Sequence, residues 1–284
     1  MAVELKTFQA GLEQAARQSP TQSERTMSND SEARRPPSRS LMLMELRALG
    51  ELGAFFALAP VLRTLPRGDG HPVLVLPGLL ASDRSTALLR AFLRDRGYHV
   101  HGWELGPNHG PRPGAEAKMQ ARLASLYERH GRKVSLVGWS LGGVFARELA
   151  RRAPEQVRSV ITLGSPFAGS PKASNAWQIY ERVSGTSAEP QPHRGDMGRP
   201  MPVPATAIYS RTDGIVNWRG CLEREGPTAE NIEIEGSHCG LGHNPAVLYA
   251  IADRLAQPEG RWRHFDRSGL RGLVYRDPQR SATA

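Results

Sequence analysis

From about residue 70 onward, short apolar runs alternate with stretches whose apolar positions recur every three or four residues. Pro72 to Leu76, Tyr98 to Glu104, Val134 to Val137, Val157 to Leu163 and Ala205 to Ser210 read as strands. Asn231 to Glu235 alternates apolar and polar positions and reads as a further strand. Ser85 to Arg96, Glu116 to His130, Leu141 to Ala153 and Pro245 to Leu255 read as helices between and after them. Strands alternating with helices predict an α/β domain, a mostly parallel sheet with helices on both faces. The predicted domain spans residues 70–257.

The flanks have different patterns. Residues 1–40 are polar, with little apolar periodicity, and are expected to be disordered; Met27 is a second candidate start. Residues 41–69 hold a strongly apolar helix, Leu41 to Thr64, and a linker. Glu45, Arg47 and Glu51 interrupt that helix and leave too short an apolar run to span a bilayer. It packs on the domain or lies on a membrane surface, and the pattern leaves both open. No cleavable signal peptide is recognisable, so a cytoplasmic or membrane-associated location is expected. Residues 167–204 are rich in Pro, Gly, Ser and charge, with a helical turn over Asn175 to Val183. This is a small lid or a long surface loop. Residues 258–284 form a basic tail expected to be mobile.

The chemistry centres on Gly138-Trp139-Ser140-Leu141-Gly142. It lies where an apolar strand passes into a helix, and Gly138 and Gly142 stand where side chains would press on neighbouring backbone. This strand, turn and helix resembles the nucleophile elbow of the α/β-hydrolases. The resemblance implies that an acid and a histidine follow the serine in that order. Asp213 stands in the Asp213-Gly214 turn after Ala205 to Ser210, and His238 in the loop after the last strand. Asp213 as an ordinary turn residue and His238 as a solvated loop residue are the alternatives. Of the competing histidines, His71, His101 and His109 precede the elbow, and His193 follows no strand. His243 is the rival, at the start of a helix.

Further segments extend the resemblance: Pro77-Gly78-Leu79, Leu105 to Gly110, Leu163 to Phe167, Ser210 to Val216 and Gly236 to Leu241. Together they look like the esterase/lipase branch of the α/β-hydrolases, related to compact bacterial lipases and to the glycosylphosphatidylinositol-deacylase-like group. The fold implied is an α/β-hydrolase sheet in shortened form, about six strands, because two opening strands have no candidates upstream. Pro77 departs from the pattern of many lipases, which have histidine there. The family implies ester hydrolysis through an acyl-enzyme, without metal or organic cofactor. Backbone N–H groups of Leu79 and Leu141 would form the oxyanion hole, with Leu80 the neighbouring alternative to Leu79. Leu80, Trp139, Phe167 and Trp177 are candidate substrate contacts. In this fold the loops of Cys221 and Cys239 are neighbours, so a disulfide is expected, against two free thiols in a reducing compartment.

Charge narrows the partners. The net charge is +9 over 284 residues, carried by arginine apart from Lys6, Lys118, Lys133 and Lys172. The arginines are spread along the chain and not gathered into an aromatic-interleaved patch, which argues against nucleic acid and for a modest attraction to anionic lipid. The expected partner is a small-molecule or lipid ester, with peripheral membrane contact; oligomeric state is not legible. An acyltransferase using the same triad, and a non-catalytic binding protein on this fold, are the competing function classes.

Overall fold

The structure, a computed structural model, describes residues 35–187 and 198–276. In chain order the helices are α1 (Arg39–Leu43), α2 (Ala48–Ala57) and α3 (Ala59–Leu62), with a 3-10 turn, Met44–Arg47, between the first two. Strand β1 (Pro72–Leu76) leads to α4 (Ala87–Asp95), β2 (His99–Gly102) and α5 (Ala115–His130). Then come β3 (Val134–Trp139), α6 (Leu141–Arg152), β4 (Val157–Leu163) and α7 (Trp177–Ser184). The described residues end with β5 (Ala205–Ser210), β6 (Ala229–Ile234), α8 (Pro245–Leu255) and the short α9 (Arg271–Val274).

The six strands lie in the order β2-β1-β3-β4-β5-β6, and every pairing is parallel. The apolar runs therefore read correctly: a parallel strand covered on both faces is buried throughout, as β1 and β5 are. Along β1 the side chains alternate between two cores. Val73 and Val75 pack with Leu89, Phe92 and Leu93 of α4 and Leu248 and Ile251 of α8. Leu74 and Leu76 pack with Leu123 and Leu126 of α5 and Phe145 and Leu149 of α6. Strand order turns back at β1, with β2 on one side and β3 on the other. In open α/β sheets that switch point is where ligands bind, beyond the strand C-termini. The register pairs Leu76 with Gly138, so the loop after β1 and the turn after β3 emerge side by side.

The N-terminal segment departs from expectation in where it starts and in what its charges do. The N-terminal helical segment starts at Arg39, capped by the Ser38 hydroxyl, inside the stretch expected to be disordered; residues 1–34 lie outside the described part. Its charged residues do not interrupt the packing but make it, as shown below. Among the described residues no helix is long and apolar enough to cross a membrane.

The basic tail is anchored by two buried residues within 258–276, and 277–284 lie outside the described residues. Phe265 and Tyr275 are buried and stack edge to face against each other, centroids 4.7 Å apart. The Phe265 N–H donates to Glu230 at 2.7 Å and Arg267 donates to the Asn231 carbonyl at 2.5 Å. The tail thus covers part of the edge strand β6, so that its polar alternation does not give an exposed face. Instead Glu230 and Glu233 are buried, the first bonded to Arg254 at 2.7 Å and the second to the Tyr209 hydroxyl at 3.0 Å. Replacing Phe265 by alanine should destabilise the protein by about 3 kcal/mol, typical of emptying a buried aromatic site. Thermal unfolding measures it; an unchanged midpoint contradicts the packing role.

Candidate active site

Ser140 sits between β3 and α6 with φ 53° and ψ −123°, a left-handed backbone that a non-glycine residue holds only when its surroundings enforce it. The enforcement is steric. A β-carbon at Gly138 would lie 2.3 Å from the Gly143 Cα, and one at Gly142 would lie 2.3 Å from the Leu76 carbonyl oxygen. Only glycines let α6 approach β1 and β3 this closely. The Ser140 N–H donates to the Leu163 carbonyl at 2.8 Å, which fastens the turn to the end of β4.

Asp213 and His238 meet as the sequence order suggested. Asp213 Oδ2 and His238 Nδ1 are 2.6 Å apart, both residues being buried. Asp213 Oδ1 accepts the N–H groups of Ile215 and Val216 at 2.8 and 2.7 Å, which fixes the carboxylate. Burial alone would lower the His238 pKa, but the charge and hydrogen bond of Asp213, with a further contribution from Glu45, outweigh it, and the net shift is upward. Ser140 and His238 line the same cavity with Trp139, Leu79, Leu80, Ala176, Ile179, Ile215 and Cys239. No hydrogen bond joins the Ser140 hydroxyl to the imidazole; in unliganded sites this contact is often long and tightens with substrate. His243 turns away and bonds the Ala48 carbonyl at 3.1 Å. His71 is bonded to Asp69 and Ser135 at the start of β1, and His101 is bonded to His130; His193 lies outside the described residues.

The loop after β1 is held by a residue that the sequence reading had quoted without a role. The buried Asn108 donates from Nδ2 to the Pro77 carbonyl at 2.8 Å, and its own carbonyl accepts the Leu80 N–H at 2.7 Å. That bond removes Leu80 as a free donor. The N–H groups of Leu79 and Leu141 make no hydrogen bond among the described residues, and both residues border a second cavity beside Ser140, with Trp177 and Tyr180 of α7. Trp177 therefore reaches the site, as do Leu80 and Trp139. Phe167 does not: it is buried, with the Arg147 guanidinium stacked 3.8 Å from its ring centroid. Of the stretch read as a lid, residues 188–197 lie outside the described part.

The expected disulfide is absent, and both cysteines are free. Cys221 is buried with Tyr209 and Val216, whereas Cys239 is exposed beside the cavity. Neighbouring loops thus send the two side chains into different environments. Although the residue is exposed, partial desolvation of its thiol by the surrounding protein and the nearby Glu45 carboxylate push it up to about 12, so it stays protonated. Among the described residues no group of three or more His, Cys, Asp or Glu is placed to hold a metal ion.

Two features escaped the sequence reading. The first is the N-terminal segment, whose charged residues grip the loops of Asp213 and His238. Glu45 accepts three backbone N–H groups, Gly214 at 2.8 Å and His238 and Cys239 each at 2.9 Å. Burial works against the Glu45 carboxylate, yet these three bonds outweigh it and its pKa is lowered. Glu51 accepts the Ser237 N–H at 2.8 Å and the Ser237 hydroxyl at 2.7 Å. Arg47 donates to the carbonyls of Thr212 and Gly236 at 2.6 and 2.7 Å. Three charges in an otherwise apolar stretch were the available signal. The second is Gly164, φ 52°, where a β-carbon would lie 3.1 Å from both Asp213 Oδ2 and His238 Nδ1.

Residues 71–196 match the family model of the alpha/beta hydrolase fold. Over 110 residues the chain is 27% identical to a pimeloyl-(acyl-carrier protein) methyl ester esterase of Shewanella woodyi, covering 39% of this chain and 42% of that protein. Lipase B of Aspergillus fumigatus has a similar structure, with a TM-score of 0.53 at 17% identity over 68% of this chain and 53% of that one. Lipase BlEst2 of Bacillus licheniformis gives 0.49 at 17% identity, over 68% and 94%. The aligned part thus spans about half, or less, of the first two proteins. With the parallel sheet and the strained serine turn at its switch point, the fold is that of the α/β-hydrolases.

Under the ester-hydrolase reading proposed below, Gly164→Ala should lower ester turnover at least about tenfold, since displacing positioned groups by a fraction of an ångström is costly. Steady-state kinetics on a soluble ester, with folding checked by circular dichroism, measures this; wild-type turnover contradicts the role given to Gly164.

Proposed function

We propose that the protein is a serine hydrolase of carboxylic esters, acting on small or lipid-like acyl esters through an acyl-enzyme. The observation that carries the reading is the buried Asp213–His238 pair, 2.6 Å apart, at the cavity that Ser140 also lines. The esterase and lipases to which the chain is similar support the reaction class.

In this reading His238 Nε2 takes the proton of the Ser140 hydroxyl as Oγ attacks the acyl carbonyl. Asp213 accepts the Nδ1–H bond, fixes the tautomer and stabilises the imidazolium. The N–H groups of Leu79 and Leu141 receive the oxyanion, and donors of this kind are typically worth about 3 kcal/mol each. His238 then gives its proton to the leaving alcohol. A water, deprotonated by the same imidazole, cleaves the acyl-enzyme and restores Ser140. Leu79, Val144, Trp177 and Tyr180 give the cavity beside the serine the largely apolar wall that an acyl chain needs.

Ser140→Ala should lower kcat for a short p-nitrophenyl ester by a factor on the order of 10^4 or more while leaving thermal unfolding unchanged. Near wild-type turnover by this variant removes the assignment.

The base works only as neutral imidazole, so kcat/KM should rise with pH through the His238 pKa. That pKa is raised, so the acid limb should lie above about 6.5, the ordinary imidazole value. The Glu45 charge contributes to the increase. Glu45→Gln should therefore move the limb to lower pH, and a limb that stays in place shows that Glu45 does not act on the imidazole.

A further inference from the structure

The N-terminal segment is amphipathic in the opposite sense to an ordinary surface helix. Its charged residues Glu45, Arg47 and Glu51 face the protein together with Phe55 and Leu62, while many of its other apolar residues face out. Leu43, Leu46 and Leu49 are 71%, 75% and 72% exposed, and Phe56 and Val61 are 61% and 57% exposed. Met44, Gly50, Gly53 and Ala57 complete the outer surface of α2 and the turn before it, an outer surface that carries no charged side chain. A contiguous apolar surface of this kind on a folded domain marks an interaction site.

We infer that this face seats the protein on an anionic lipid bilayer, α2 lying in the plane of the headgroups; the inference deepens the proposed lipid-ester reading and rests on it for its purpose, not for its test. Charge selects the occupant. Between residues 35 and 68 the only acids are Glu45 and Glu51, both turned inward onto the catalytic loops. Exposed Arg35 and Arg39 precede the apolar face, and exposed Arg63 and Arg67 follow it. A second copy of the chain docked there would set arginine against arginine in either orientation, a costly juxtaposition. Anionic headgroups neutralise the arginines while the acyl region takes the leucines and Phe56.

Continuity with the site points the same way. Cys239, whose N–H is held by Glu45, lines the cavity of Ser140 and His238, and that cavity's Leu80 and Ile179 are themselves 48% and 47% exposed. The docking segment and the cavity mouth thus share a loop. A lipid ester could pass from the bilayer to Ser140 along apolar residues.

The test is flotation of the full chain with vesicles of phosphatidylcholine alone and with added phosphatidylglycerol. The wild type should bind the anionic vesicles at least about tenfold more tightly than the neutral ones, and added salt should weaken the binding. The triple variant Leu46→Gln, Leu49→Gln, Phe56→Gln touches no catalytic group. It should lose at least about tenfold in vesicle affinity while keeping its kcat/KM on a soluble ester. Arg39→Glu with Arg63→Glu should abolish the anionic preference even if the triple variant folds poorly. A wild type that does not bind anionic vesicles overturns the inference, whether the face is covered by residues 1–34 or by a second copy; light scattering of wild type and triple variant identifies the latter. Vesicle binding lost as expected in a protein without esterase activity would leave the surface standing and remove the proposed reaction.

Discussion

The close approach of α6 to β1 and β3, with no space for a β-carbon at Gly138 or Gly142, is the constraint from which the site follows. It forces the chain to turn sharply at residue 140 and holds a serine in a backbone conformation that serine does not choose. The hydroxyl is thereby lifted to the C-terminal end of the sheet, at the one place where strand order reverses. Pairing of Leu76 with Gly138 brings the loop after β1 to the same point. Sheet topology, and not any single contact, sets the serine beside the backbone donors proposed for it.

The other half of the site is held differently. Asp213 and His238 come from loops after β5 and β6, and those loops are tied to each other by carboxylates and a guanidinium from a segment almost 200 residues away in sequence. Glu45 joins Gly214 of one loop to His238 and Cys239 of the other through a single carboxylate. Three backbone donors would otherwise need water at the rim of an apolar cavity, and an ionised acceptor satisfies them more strongly than a neutral one does. The same charge adds to the field that keeps the His238 pKa raised. Support for the loops and tuning of the imidazole are thus one interaction.

Much of this was legible in the sequence because it is local. Parallel strands covered on both faces appear as plain apolar runs. The turn at Ser140 is encoded in five consecutive residues, and the order of Asp213 and His238 follows from the resemblance. What was not legible depends on contacts distant in sequence. Periodicity reported the N-terminal segment as apolar, with three charges as blemishes; it carried no information that those charges had partners between Thr212 and Cys239. The tail after residue 258 read as mobile because its arginines dominate, while Phe265 and Tyr275, the two residues that bury it, are isolated in sequence. Cys221 and Cys239 follow the same logic: neighbouring loops do not fix the direction of a side chain, and one thiol lies in the core while the other is at the cavity. Gly164 looks like any glycine in a turn until the acid and the imidazole are placed against it.

The account stands on an activated serine at the end of β3. Labelling of the purified protein with a fluorophosphonate, with the site located by peptide mass spectrometry, tests it most directly. The account predicts rapid modification of Ser140 in the wild type and loss of that labelling in His238→Ala. Modification at another residue, or labelling of Ser140 at an unchanged rate without His238, would contradict it.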